Sequence, residues 1–236
     1  MNRKQEALFF VALSVIGAIF VILVVWLRPA TSAAIVFTDR AVVGGALVLS
    51  CALGIGLALR PNRIRRLALR QHHGGIPEQS KAPARRRQGH HPDCVWFDSH
   101  RLVIGGRALC AGCTGLAVGS IVAVVLAVFY LAFSPGIPVE TARALIGVGL
   151  VILAVNYIGI ASPSRKAASH AFSNAALVVG FLLVTVSVLE LTSSLAYGLL
   201  AVVLSFLWLD TRIRLSGWRH SQTCEECVEL CKAYST

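Results

Sequence analysis

Six runs of apolar residues, set apart by polar connections, organise the chain: about Leu8–Leu27, Val42–Leu59, Leu116–Phe133, Ala144–Ala161, Ala171–Leu191 and Leu195–Leu209. Each is near the ~17–25 residues that a helix needs to cross ~30 Å of hydrocarbon. A helix also satisfies its own backbone groups, which a segment surrounded by lipid must do. The pattern predicts an all-α fold, a six-helix transmembrane bundle. The first run exceeds the length of a signal-peptide core, so it is expected to persist as a helix. The last run is the shortest.

Composition agrees with this pattern. Of 236 residues, 56% are hydrophobic and 14% charged, with a mean hydropathy of +0.72. Soluble domains usually carry about 25% charged residues. A net charge of +11 would suggest nucleic acid in a soluble protein. In a membrane protein it mainly fixes orientation, so the positions of the cations matter. One set of alternate connections holds eleven basic residues from Arg60 to Arg107, then Arg165 and Lys166, then Arg212, Arg214, Arg219 and Lys232. The other set holds only Arg28, Arg40 and Arg143 as cations. The positive-inside rule places both termini in the cytoplasm, in a multi-pass protein of the cell (inner) membrane. No ionisable side chain lies near the middle of a predicted span, which argues against an ion-coupled transporter.

The chain divides into a first helix pair (1–59), a basic cytoplasmic linker (60–89), a His/Cys loop (90–115), a four-helix region (116–209) and a Cys-rich tail (210–236). Gln71–Gln88 reads as a tether rich in Gly, Pro, Ser and Arg. Before it, Arg63–Arg70 interleaves cations with Ile64, Leu67 and Leu69. That is either an interfacial helix on anionic lipid, at ~1 kcal/mol per cation, or a topogenic charge cluster without a ligand. Nucleic acid is not expected at Arg85–Arg87, because no base-stacking aromatics interleave with it.

The chemistry concentrates in the loop. His91-x2-Cys94 is followed, after fifteen residues, by Cys110-x2-Cys113. This is a zinc-site spacing with one His in place of a Cys. Clustered cysteines in a reducing cytoplasm more often bind metal than form structural disulfides. Four such ligands close a tetrahedral structural site. Gly105-Gly106 suits a tight hairpin between the two pairs. Gly112 and Gly115 are expected to give the positive φ values of a metal knuckle, with the third span starting at Thr114 or Gly115. Iron is compatible with the same ligands, and His90 or His100 can stand in for His91. Weaker alternatives are a thioredoxin-like redox pair at Cys110 and Cys113, which lacks a βαβ context, and a nucleophilic Cys113. The segment Cys113-Thr-Gly is loosely similar to archaeosortases, but those act on the outer face.

A second cluster lies in the tail: His220, Cys224, Cys227 and Cys231. Thr223 and Glu226 have capping-box spacing, which predicts a helix starting at Cys224. Cys224 and Cys231 would then stand ~10 Å apart along the axis, too far for one ion to take all three thiols. Two partitions stay open. Either His220 folds back to complete a tail site, or Cys224 and Cys227 complete the loop site with Cys110 and Cys113.

A His-rich turn, C-x-x-C-x-G at the start of a helix, and a later Arg and Ser-Asn segment resemble the DUF2085 family of small polytopic membrane proteins. The residues that carry the resemblance are His91, Cys94, Cys110, Cys113, Gly115 and Gly119, and more loosely Arg165, Ser173, Asn174 and Gly180. The resemblance implies membrane location and metal binding, and no activity. The expectation is a six-helix bundle with a small cytoplasmic metal-knuckle module, holding zinc and serving as an accessory or structural component. Its partners would be the lipid bilayer and other protein subunits or copies of itself. A membrane-embedded thiol- or metal-dependent enzyme and a metal carrier or sensor are the alternatives.

Overall fold

The computed structural model describes residues 3–27, 35–59, 87–88, 91–92, 95–133, 136–161 and 166–226. Six helices carry the fold: α1 Arg3–Leu27, α2 Phe37–Leu59, α3 Ala111–Phe133, α4 Val139–Ala161, α5 Ala167–Thr192 and α6 Leu195–Glu226. All six are long and apolar enough to cross a membrane. Their outer faces expose large apolar side chains such as Ile16, Leu49, Phe129, Val151 and Ile158, the surface that lipid would cover. The basic segment Arg63–Arg70 and the linker before Arg87 lie outside the described residues.

α5 is the axis of the bundle. Its apolar window is 72% buried, against 17% for α1. α3 and α4 pack on opposite sides of it, α2 covers α3, and α1 lies along α6. Small residues set these distances, as they do where helices must associate without a hydrophobic drive. A Cβ on Gly119 would come 2.5 Å from the Ala175 carbonyl oxygen, and one on Gly115 would strike the Ala171 carbonyl. α3 therefore touches α5 backbone to backbone at these two positions. One apolar cluster, including Leu47, Ala123, Leu182 and Val202, joins α2, α3, α5 and α6. A second, including Val21, Leu153, Phe181 and Trp208, joins α1, α4, α5 and α6.

α6 departs from the expected short span. It runs for 32 residues, the longest helix among those described. Its polar half stays helical because α1 gives it partners. Ser14 and Thr211 share a 2.7 Å hydroxyl contact, the Trp208 indole donates to the Ser14 carbonyl at 3.1 Å, and Arg3 donates to Ser221 at 3.0 Å. Arg214 pairs with both Asp210 and Glu6 and lies over the Phe10 ring. The expected helix start at Cys224 is thereby corrected. Thr223 sits inside α6, and its hydroxyl donates to the Arg219 carbonyl one turn back. It caps nothing.

Outside the helices, β1 Arg87–Gln88 pairs antiparallel with β2 His91–Pro92. A 3-10 turn, Val95–His100, then leads into the hairpin of β3 Arg101–Ile104 and β4 Arg107–Cys110. Gly105 and Gly106 have φ of 56° and 74°, the pair of positive values that a two-residue type I′ turn requires. The expected hairpin forms. The expected knuckle does not, because α3 already begins at Ala111 and Gly112 and Gly115 are helical. Gly115 is small to admit the α5 backbone, and a Cβ on Gly112 would sit 3.3 Å from the Asn174 amide nitrogen.

At the end of the bundle where α5 finishes, Arg40 at the start of α2 meets Glu190 at 3.3 Å, with both side chains largely buried. The Tyr130 hydroxyl donates to the same carboxylate at 2.5 Å.

Candidate functional site

The opposite end holds the cysteines and histidines. Hairpin register sets Arg101 directly across from Cys110. Chain before the hairpin is thus returned to the start of α3, and β1 lies near β4. A hairpin placed between two ligand pairs has this geometric consequence: residues far apart in sequence become neighbours. Cys110 is buried at the end of β4, and Cys113 stands in the first turn of α3 with its side chain hydrogen-bonded to that of Cys110. The Thr114 hydroxyl donates to the Cys110 carbonyl at 2.9 Å and holds this turn.

Two helices add the remaining groups. α5 supplies His170 and Asn174, one turn apart; α6 supplies Arg212, His220 and Cys224. The rings of His100 and His170 stack with centroids 4.6 Å apart, and His220 meets His100 edge-on at 5.0 Å. Phe97, at 1% exposure, packs edge-on against His220 and forms a small core with Cys224. The 3-10 turn is thus docked on the far end of α6.

Buried polar atoms without a hydrogen-bond partner include two on residues of the cavity wall at this end. Asn174 is fully buried; its amide nitrogen donates to the His170 carbonyl at 2.8 Å, while its oxygen Oδ1 accepts nothing. The Nε of Arg212 is buried and donates to nothing. Among the described residues Arg212 forms no ion pair with a carboxylate. The groups that feel its charge are the Cys110 and Cys113 thiols and the Tyr157 phenol.

His100, Cys110, Cys113, His170, Asn174, Arg212 and His220 line one cavity of about 490 Å³, which continues between α2, α3, α5 and α6 along apolar walls.

Of the expected ligands, Cys110 and Cys113 come together. His220 and Cys224 reach the same end but lie against Phe97. Cys94, Cys227 and Cys231, and the side chain of His91, lie outside the described residues. Among the described residues no group of three or more His, Cys, Asp or Glu side chains is arranged to hold a metal ion. His170 and Arg212 were not singled out in the sequence, and Asn174 entered only through the family resemblance. Their sole sequence signal is the i, i+4 spacing of His170 and Asn174, which many helices share.

No protein-family model matches the chain, and no curated protein or solved structure shows significant similarity to it.

Proposed function

We propose that the protein is a multi-pass membrane component whose Cys110 end is closed by one structural metal ion, zinc by the chemistry of its donors, and that it serves as an accessory subunit rather than as a free-standing enzyme. The observation that carries this reading is the charge of Arg212. A cation withdrawn from water without an anion is costly, and no described carboxylate pairs with the half-buried Arg212. The groups that feel its charge include the Cys110 and Cys113 thiols, which a bound metal would hold as thiolates. Zinc bound by three thiolates and a neutral imidazole carries a net charge of −1, which one guanidinium neutralises. Cys110 and Cys113 would supply two sulfurs, with Cys94 and His91 completing the set. A closed set of four ligands leaves no exchangeable water and suits a structural ion.

Such an ion would tie the linker and hairpin to the first turn of α3. Through Phe97 and Cys224 it would also steady the end of α6. Metal binding is then folding free energy for this end of the molecule. The distribution of Lys and Arg supports placing this end, with both termini, in the cytoplasm.

Metal analysis of purified protein tests the proposal. Cys110→Ser should lose the ion and thermal stability together, whereas Cys51→Ser, in the apolar core, should leave the metal unchanged. Full metal content in Cys110→Ser would overturn it. A second reading, a redox dithiol, is favoured by one observation, the placement of both sulfurs on the cavity wall. Metal-free protein with a reversible Cys110–Cys113 disulfide would support that reading instead.

A further inference from the structure

The cavity beside the thiols has two chemically distinct ends. Along α6 its wall runs from Val202 to Thr223, about 30 Å of helix at 1.5 Å per residue. One end is formed by Leu47, Ala123, Val178, Leu182 and Val202, all apolar and at the depth of the apolar cluster that joins four helices. The other end presents His100, His170, His220, Arg212 and Arg219. No Asp or Glu contributes to the wall among the described residues. A volume near 490 Å³ falls within the roughly 300–1,000 Å³ of pockets that take small organic ligands.

Each feature restricts the occupant. The apolar end lies within the membrane-spanning part of the bundle, so the occupant carries a long hydrocarbon chain. The polar end offers imidazole and guanidinium donors without a competing carboxylate, so the head is an anion. Guanidinium matches phosphate in geometry, with paired N–H groups facing paired oxygens. The orphaned Oδ1 of Asn174, fully buried on the cavity wall, asks for a donor. A protonated phosphate oxygen or a hydroxyl of the head group supplies one. Arg219, which also donates to Gln222, and the three histidines line the polar end where the head would sit.

We infer that this cavity binds a phosphate-headed amphiphile, with the head among His100, His170, His220 and Arg219 and the chain between α2, α3, α5 and α6. A two-chained phospholipid of the bilayer and a single-chained polyprenyl phosphate share this chemistry.

Native mass spectrometry of the delipidated full chain tests the inference, with phosphatidylglycerol, chain-matched phosphatidylcholine and a polyprenyl phosphate as probes. At least one anionic probe should bind about tenfold or more tightly than phosphatidylcholine, the size of a charge-assisted hydrogen-bond set. The anion that wins identifies the source. Arg219→Gln and His170→Gln should each remove most of that preference. Ala123→Leu, which fills the apolar end, should weaken all three probes. If it fails to fold, judged by its helicity and metal content, the two head-group variants decide alone. Equal binding of phosphatidylglycerol, polyprenyl phosphate and phosphatidylcholine would overturn the inference. So would an unchanged preference in both head-group variants.

Discussion

The two ends of the bundle each bury an arginine, and they treat it differently. At one end Arg40 meets the carboxylate of Glu190, which also accepts from Tyr130. At the other, Arg212 has no carboxylate partner among the described residues, and the groups that feel its charge are two thiols and a phenol. The first end balances its charge with the chain's own groups. At the second, the proposed metal or a ligand in the cavity would supply the balancing negative charge.

The largest expected difference between the ends is all-or-none. An impermeant maleimide applied to intact cells should label a cysteine placed at Thr141, at the Glu190 end, and spare one placed at Gln79. The reverse labelling would invert the orientation.

Next in size is the response to losing an anion. Glu190→Gln leaves Arg40 buried opposite a neutral amide and should cost roughly 3–5 kcal/mol, as broken buried pairs do. Thermal unfolding in a fixed detergent would show it as a large drop in Tm. A Tm within a degree or so of the parent would mean that this end is not balanced by the pair.

Removing the cation at the other end should act differently. Arg212→Met keeps the volume but would leave the proposed, negatively charged metal cluster without its neighbour. Metal affinity should fall about 10–100-fold, as when an outer-shell partner of a metal site is removed. Helical content should persist. Competition with a zinc chelator measures this, and unchanged affinity would remove Arg212 from the site.

The smallest effect lies between the ends. Ser14→Ala deletes the 2.7 Å contact to Thr211 and should cost about 1 kcal/mol. Metal content should be unchanged, because the α1–α6 seam is independent of the thiol end. Loss of metal in this variant would show that the two regions are coupled.

How much of this could be read in advance follows from which interactions are local. The six helices were legible because lipid demands long apolar runs, and the hairpin because Gly105-Gly106 fits one turn type. The length of α6 was not legible. Its second half is polar, with no apolar stripe, and is held by groups from the other end of the sequence such as Glu6, Arg3 and the Phe10 carbonyl. Gly112 and Gly115 were read as knuckle residues, since glycine signals positive φ. Here glycine serves close approach, to Asn174 and to the Ala171 backbone, a demand set by a helix more than fifty residues away. Arg212 has no local signature, and His170 has only its common i, i+4 spacing from Asn174. Only the packing of α3 and α6 on α5 brings a histidine to His100 and a cation to the thiols.

X-ray absorption at the metal edge of the purified full chain tests the metal assignment most directly. The expected result is one zinc per chain with sulfur scatterers near 2.3 Å and one nitrogen near 2.0 Å, the distances of a closed thiolate–imidazole site. A bound ion whose shell is oxygen and nitrogen only, or purified protein with no bound metal and free thiols at Cys110 and Cys113, would contradict it.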